Sequence, residues 1–548
     1  MSSLTSLPAH RLLTLLEAKE VSSAEVVRAH LDRIERYDGA LRAFTKVFAE
    51  QAMAQAHVVD DARMRGIPVG RLGGLPVSVK ECFDIAGELT TIGVPNKDRL
   101  PARTDAAMVK LLNSEGAVIV GRTNISQLML FNEASNPVFG RTSHPMSLTH
   151  TPGGSSGGEA AAVAAGMSAL GIGTDIGGSI RVPCHFCGIA GIKPSLDRLP
   201  MAGSASGIPG QEVIRAMCGP MARTVRDVVL AMKAFDPHAM SALDGRVPPL
   251  AWPDPDAVDV RSLRVGYYVD DGFIRPSRSV ERALRTAVKA LETQGVRMVE
   301  FRPPEISRAI SMYFAALSAD GAVTMERGIQ GGPVEKPLRG LKVMATLPKR
   351  LREGLADVAG LLGEPLLEGL LNSLGEKSVA DLWALTAAMR SYRNSFLDSM
   401  REAGIDALLT VPYATAPLPH GMSKNFVIAG TSAMLFNVLQ LPAAIVPVTT
   451  VRANETSRSP ILGLLDRHAA RVDRKSAGLP VGVQIAGRPW DEATVLALAL
   501  ALEEALASDP ERPRLPVDGP IGTIRATAAH DDDDDDDDGD GRDATSGI

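Results

Sequence analysis

Cysteine is scarce, with four residues (Cys82, Cys184, Cys187 and Cys218) in a chain of 548. So few exclude a disulfide framework and point to a reducing compartment, the cytoplasm being the expected location. Cys184-His185-Phe186-Cys187 carries zinc-binding residue types but has no second ligand pair at finger-like spacing, so buried thiols and no metal are expected there. A basic excess is missing too. Lys and Arg number 58 against 64 Asp and Glu, and residues 526–548 alone hold ten aspartates and one arginine. Taking that local charge of −9 from the net −6 leaves the body near +3, without the footprint of a nucleic-acid binder. Eight consecutive aspartates, Asp531 to Asp538, repel one another and have nothing apolar to bury, so residues 516–548 read as an acidic disordered tail.

Long unbroken apolar runs are also lacking. The stretch from Phe426 to Val451 is free of charge and long enough to span a bilayer, but Asn437, Gln440, Pro442 and Pro447 interrupt it. It reads as a buried helix followed by a core strand. The first 20 residues carry Arg11, Glu17, Lys19 and Glu20 without the three-part pattern of a secretory signal.

What is present fits a globular chain, 45% hydrophobic and 22% charged. Ser22-Ser23-Ala24-Glu25 reads as a capping box opening a helix with Val26, Val27, His30, Leu31 and Ile34 on one face. Short apolar runs at 75–79, 117–120, 264–268, 407–411, 443–448 and 479–485 alternate with helical patterns, which predicts an α/β fold on a mixed, mainly parallel sheet with helices on both faces. Leu347, Leu351, Leu355, Val358 and Leu362 form a stripe that resumes after Pro365 in Leu366, Leu367, Leu370, Leu371 and Leu374. Lys342, Lys349, Arg350 and Arg352 stand near its start, a pattern that suits packing on the core or lying in a membrane interface.

Glycine is concentrated in residues 153–191, with 11 in 39 positions against 51 in the whole chain. Such loops turn backbone N–H groups toward an anion or oxyanion. No lysine occurs between Lys110 and Lys193, which removes the phosphate-cradle reading. The glycine-flanked serines of this segment are Ser155, Ser156 and Ser179, and a serine hydroxyl becomes a nucleophile only beside a base. His144, His150 and His185 are nearby candidates, and Gly154-Ser155-Ser156-Gly157-Gly158 fits G-x-S-x-G with Ser156 as nucleophile, although polar, proline-broken residues 147–152 stand where that elbow needs a strand. Lys80 offers another base, because it ends the strand-like Leu75-Pro76-Val77-Ser78-Val79, where desolvation disfavours the ammonium.

Gly153-Gly154-Ser155-Ser156-Gly157-Gly158-Glu159, Gly173-Thr174-Asp175-Ile176-Gly177-Gly178-Ser179-Ile180-Arg181 and Lys80 together resemble the Ser-Ser-Lys pattern of the amidase signature family, with 24 positions between Ser155 and Ser179. The resemblance implies one amidase-signature catalytic domain over 71–515, with residues 1–70 a helical segment packed on it. It implies Ser179 as nucleophile, Ser155 as bridging serine and Lys80 as terminal base, with a cis peptide before Ser155 and no cofactor. Backbone N–H groups of Ile176, Gly177, Gly178 and Ser179 resemble the family's oxyanion hole. Ser156, Asp175 and Arg181 are expected to be scaffold groups.

Ser135-Asn136-Pro137-Val138-Phe139-Gly140, Phe186-Cys187-Gly188-Ile189-Ala190-Gly191-Ile192-Lys193-Pro194 and Pro442-Ala443-Ala444-Ile445-Val446-Pro447 extend the likeness to the fatty acid amide hydrolase branch, over roughly residues 20–507. That branch implies hydrolysis of N-acylethanolamines and primary fatty amides, a lipid-like small-molecule amide as partner, a homodimer, and peripheral membrane contact through 341–375. Met129 falls at the branch's acyl pocket. Two features depart from it: the mammalian members begin with a membrane-spanning helix that is not found here, and their aromatic pocket meets Met129-Leu130-Phe131-Asn132 in a chain only 4% aromatic. A short-chain or aryl amidase and a glutamine-hydrolysing amidotransferase subunit are the alternatives.

Overall fold

The computed structural model describes residues 4–96, 98–329, 331–361, 365–461 and 463–516. The acidic tail expected from the sequence, after its first residue, lies outside them. Thirteen strands are present among the described residues: β1 Phe44–Val47, β2 Pro76–Lys80, β3 Val118–Thr123, β4 Ser135–Asn136, β5 Gly140–Arg141, β6 Leu170–Asp175, β7 Ala190–Lys193, β8 Met217–Ala222, β9 Arg264–Tyr267, β10 Arg297–Glu300, β11 Ala407–Thr410, β12 Ala443–Thr450 and β13 Pro480–Ala486. β4 and β5 form a small ribbon, and the rest build one sheet in the order β1-β3-β2-β6-β8-β7-β12-β13-β11-β9-β10.

The expected α/β architecture is present, and the sheet is mixed. Its strand directions differ from the expectation of a mainly parallel sheet: β3-β2-β6 and β11-β9-β10 pair in parallel, and the other six of the ten pairings are antiparallel. One physical reason is visible between β7 and β8, where residues 194–216 contain no helix and return the chain antiparallel.

Alternation along β12 explains the layers. Ile445 packs with Cys184, Cys187 and Met221, including residues of the helix Arg181–Cys187, whereas the next residue, Val446, packs with Val495 and Leu498 of the helix Glu492–Ala505. Helices therefore cover both faces. Near the N-terminus the helix Ser23–Leu41 begins with the capping box formed by Ser22 and Glu25. The helix Ala9–Glu17 buries Leu12 and Leu16 in the same core as Val225 and Val228. The charge-free stretch folds as the helix Thr431–Val438 followed by β12. No helix among the described residues is long and apolar enough to cross a membrane.

The leucine stripe falls on the helices Lys349–Leu361 and Pro365–Ser373, with Leu347 at the end of the preceding helix Lys336–Thr346 and Leu362 outside the described residues. Its first half faces outward: Leu351, Leu355 and Val358 are exposed, while Arg352, Ala356 and Ala359 are buried. Its second half turns inward through Leu371 and Leu374.

Candidate active site

β2 carries its apolar Val77 and Val79 into the core, so Ser78 and Lys80 share the opposite face. At the strand's end Lys80 Nζ lies 2.7 Å from Ser155 Oγ and 2.8 Å from Thr174 Oγ1, with the Thr174 carbonyl at 3.4 Å. Lys80 is fully buried. Burial lowers its pKa to about 8, with Cys82, Asp175, Glu159 and Glu81 opposing the shift. The amine is therefore neutral in an appreciable fraction near neutrality, and its contact with a hydroxyl lets it accept a proton.

Ser155 follows a cis Gly154–Ser155 peptide bond. Ser179 stands 7% exposed at the wall of a cavity of about 440 Å3 that Ser155 and Thr174 also line. The two serines share this space without a hydrogen bond between their hydroxyls among the described residues. Ser156 is turned away: its hydroxyl accepts from the Thr174 N–H at 3.3 Å and donates to the Thr174 carbonyl at 3.2 Å. His144 bonds the Phe186 carbonyl, His185 the Thr415 carbonyl and Gly482, and His150 the hydroxyls of Ser147 and Thr149. Burial lowers their pKa values to about 3, 4 and 4 respectively. All three are neutral and engaged elsewhere.

The loop after β6 is held by one buried ion pair. Arg181 contacts Asp175 through Nε at 3.0 Å and Nη2 at 2.9 Å, and its Nη1 reaches the Ala433 carbonyl and Gln484 Oε1, both at 2.7 Å. Burial alone would raise the Asp175 pKa, but Arg181, Lys193 and the Gly178 N–H hold it well below the ordinary carboxylate range. Gly178 has a φ of 108° and donates its N–H to Asp175 Oδ1 at 2.8 Å. That conformation suits glycine, and a Cβ there would stand 2.9 Å from Ala433 Cβ. Of the four expected oxyanion donors, Gly178 is thus committed to Asp175. The N–H groups of Ile176, Gly177 and Ser179 have no partner among the described residues.

A narrower cavity of about 120 Å3 adjoins the serine; Met129, Phe131, Tyr313, Phe314, Leu317 and Leu374 contribute to its wall. Met129, Ile176 and Ser179 line both cavities, so Ser179 stands between an apolar space and a more polar one that includes Asp197, Gln211 and Arg215. Three aromatic residues line the narrower cavity, Phe131, Tyr313 and Phe314, with the Tyr313 and Phe314 rings edge to face at 5.3 Å.

Sequence reasoning did not single out Thr174 as a partner of Lys80, or Glu159 as a buried acid. Ser78 donates to Glu159 Oε2 at 2.6 Å and Thr123 to Oε1 at 2.8 Å. The available signal was Glu159 following the serine motif into an otherwise alanine-rich helix. The four cysteines are buried and unpaired, and no group of three potential metal ligands occurs among the described residues.

The model of the family described as Amidase matches residues 25–496. The chain is 34% identical over 511 residues to fatty-acid amide hydrolase 1 of Sus scrofa, covering 92% of this chain and 86% of that one. It is 32% identical over 509 residues to fatty acid amide hydrolase 1 of Caenorhabditis elegans, with 91% and 88% covered. A solved structure described as fatty acid amide hydrolase superimposes with a TM-score of 0.79 at 27% identity, covering 92% of this chain and 86% of that one.

Proposed function

The chain belongs to the amidase signature family and is an amide hydrolase, and from that premise we propose that it cleaves fatty acid amides to a free fatty acid and an amine through Ser179, Ser155 and Lys80. The observation that carries the chemistry is the 2.7 Å contact between buried Lys80 and Ser155, in the cavity that Ser179 lines.

Neutral Lys80 takes the Ser155 proton while Ser155 takes the proton of Ser179. The Ser179 oxygen bonds to the amide carbon, and the carbonyl electron pair moves onto oxygen. The N–H groups of Ile176, Gly177 and Ser179 receive that oxyanion; one such donor is typically worth about 2.7 to 4 kcal/mol. Ser155 then passes its proton to the amine as the C–N bond breaks, recovering one from Lys80. Water cleaves the ester left on Ser179. The contact between the two serine hydroxyls is one that a bound amide would tighten.

The apolar cavity supports the acyl side of the substrate. Leu341, Ala345 and Leu374, which belong to or adjoin the helices with the leucine stripe, also line it, so an acyl chain would pass from that stripe toward Ser179. Exposed Leu351, Leu355, Val358 and Leu361 form the surface by which the protein would touch a membrane.

Labelling with a fluorophosphonate probe and mapping the adduct tests the mechanism, with Ser179 the expected site. A label on Ser156, or turnover surviving Ser179→Ala, overturns it. Oleamide turnover exceeding acetamide turnover supports the substrate class, and acetamide turnover without oleamide turnover rejects it.

A further inference from the structure

We propose that Glu159 is a positioning residue for the base: a buried carboxyl group that ties β2 to β3 at Ser78 and Thr123, the neighbours of Lys80, and sets the pH at which Ser179 is acylated. The inference rests on Lys80 being the base of the proposed triad.

The geometry gathers three adjacent strands around one carboxyl. Glu159 is the third residue of the helix Gly157–Ala164, which begins two residues after Ser155. Ser78, which donates to Oε2, precedes Lys80 by two residues and shares its face of β2. Thr123, which donates to Oε1, is the register partner of Lys80 across the β2-β3 pair. On the other flank Gly171 is the register partner of Ser78, and a Cβ there would stand 2.2 Å from Glu159 Oε2. Two strands thus supply hydroxyl donors and the third supplies space, on the sheet face that Lys80 uses. Both donors suit an ionised carboxyl, and so does its place in a first helical turn.

Other charges near Lys80 have their own partners. Asp175 is held by Arg181, and Glu81 accepts from the N–H groups of Thr91 and Ile92 with Arg122 at 3.7 Å. Burial pushes the Cys82 thiol up, so it stays protonated. Glu159 makes no arginine contact among the described residues, and Lys80 is the cation that acts on it. Burial pushes the Glu159 carboxyl up to about 8, where burial also brings Lys80 down, so each ionisation governs the other. When Lys80 receives the proton relayed through Ser155, the ammonium forms beside an acid with no other counter-ion.

Glu159→Gln keeps the shape and can still bond both hydroxyls while removing the charge. The rate of fluorophosphonate labelling, followed across a pH range bracketing 8, reads the base directly. The acid limb of the variant should move to lower pH by about one unit, with a slower plateau, because loss of the carboxylate lowers the pKa of Lys80. Glu159→Asp, which restores the charge, should return the limb toward the wild-type position. Ser78→Ala, a milder change if the Gln variant does not fold, should move the limb the same way by less, since an acid with one donor fewer ionises less readily.

An acid limb that stays in place or moves upward in a folded Glu159→Gln variant overturns the proposal and leaves Glu159 as a rivet between helix and sheet. If that variant does not fold, an unmoved limb in Ser78→Ala has the same force. A wild-type adduct away from Ser179 overturns the triad and this inference together, whereas a Ser179 adduct with an unmoved limb overturns this inference alone.

Discussion

Residues 151–175 and 177–195, which hold both serines, are buried without exception, whereas the helix Lys349–Leu361 buries only Arg352, Ala356 and Ala359 and turns its leucines outward. The first region is made largely of small residues whose polar groups are tied to named partners, and the second mixes exposed Leu351, Leu355, Val358 and Leu361 with charged residues. Lys80 lies 2.7 Å from Ser155 and 2.8 Å from Thr174, and holding side chains at such distances demands a packed surround. A helix that meets lipid needs an apolar outer face and tolerates looser packing behind it. The apolar cavity lies between Ser179 on one part of its wall and Leu341 and Ala345 on another, both in the helix Lys336–Thr346 that precedes Lys349–Leu361.

The comparison breaks most sharply at the first region. Ser179→Ala should abolish both probe labelling and turnover, measured on a variant whose unfolding matches wild type. Lys80→Ala should retain the fold but lower acylation by a factor on the order of 10² to 10⁴ near neutrality, the usual worth of a general base. In the wild-type protein acylation should rise with pH and level off above about 8, because Lys80 is a protonated ammonium below that value and a free amine above it. A rate that falls as pH rises from 6 toward 8 would assign the base elsewhere.

Next comes the ion pair that frames the proposed oxyanion loop. Arg181→Met leaves Asp175 buried without its cation, which typically costs about 3 to 5 kcal/mol. Denaturant unfolding should detect this, and labelling of Ser179 should slow as Gly178 and its neighbours lose their anchor. Equal stability with unchanged labelling would show that Asp175 and Arg181 do not hold the loop.

Legibility followed the same division. Strands rich in Val and Ile were readable from their runs: 443–448 lies within Ala443–Thr450, and 479–485 falls one residue from Pro480–Ala486. β6 was not readable as a strand. Leu170-Gly171-Ile172-Gly173-Thr174-Asp175 has glycine at two positions, which argues against a strand until the neighbours are known. Tertiary packing supplies the reason, because a Cβ at Gly171 would collide with Glu159 and one at Gly173 would stand 2.8 Å from Met221 Sδ. Lys80, Ser155 and Ser179 were found through a linear pattern, but Thr174 and Glu159 act by cross-strand and helix-to-strand contacts that no local spacing encodes. Gly171→Ala should therefore destabilise by about 1 to 3 kcal/mol through overpacking, a value that denaturant unfolding can check.

The smallest expected effect lies in the second region and bears on access rather than chemistry. Leu351 and Leu355 are 53% and 44% exposed, so replacing both with Glu should change stability by no more than about 0.5 kcal/mol. Turnover of a short water-soluble amide should be unchanged, since neither residue lines the cavities beside Ser179. Co-sedimentation with lipid vesicles should fall, because the change removes apolar area and adds two negative charges to the proposed contact face. With it should fall turnover of a long-chain amide presented in those vesicles. If vesicle binding persists in the double variant, the outward leucines are not the membrane contact, and the difference between the two regions would reflect packing alone.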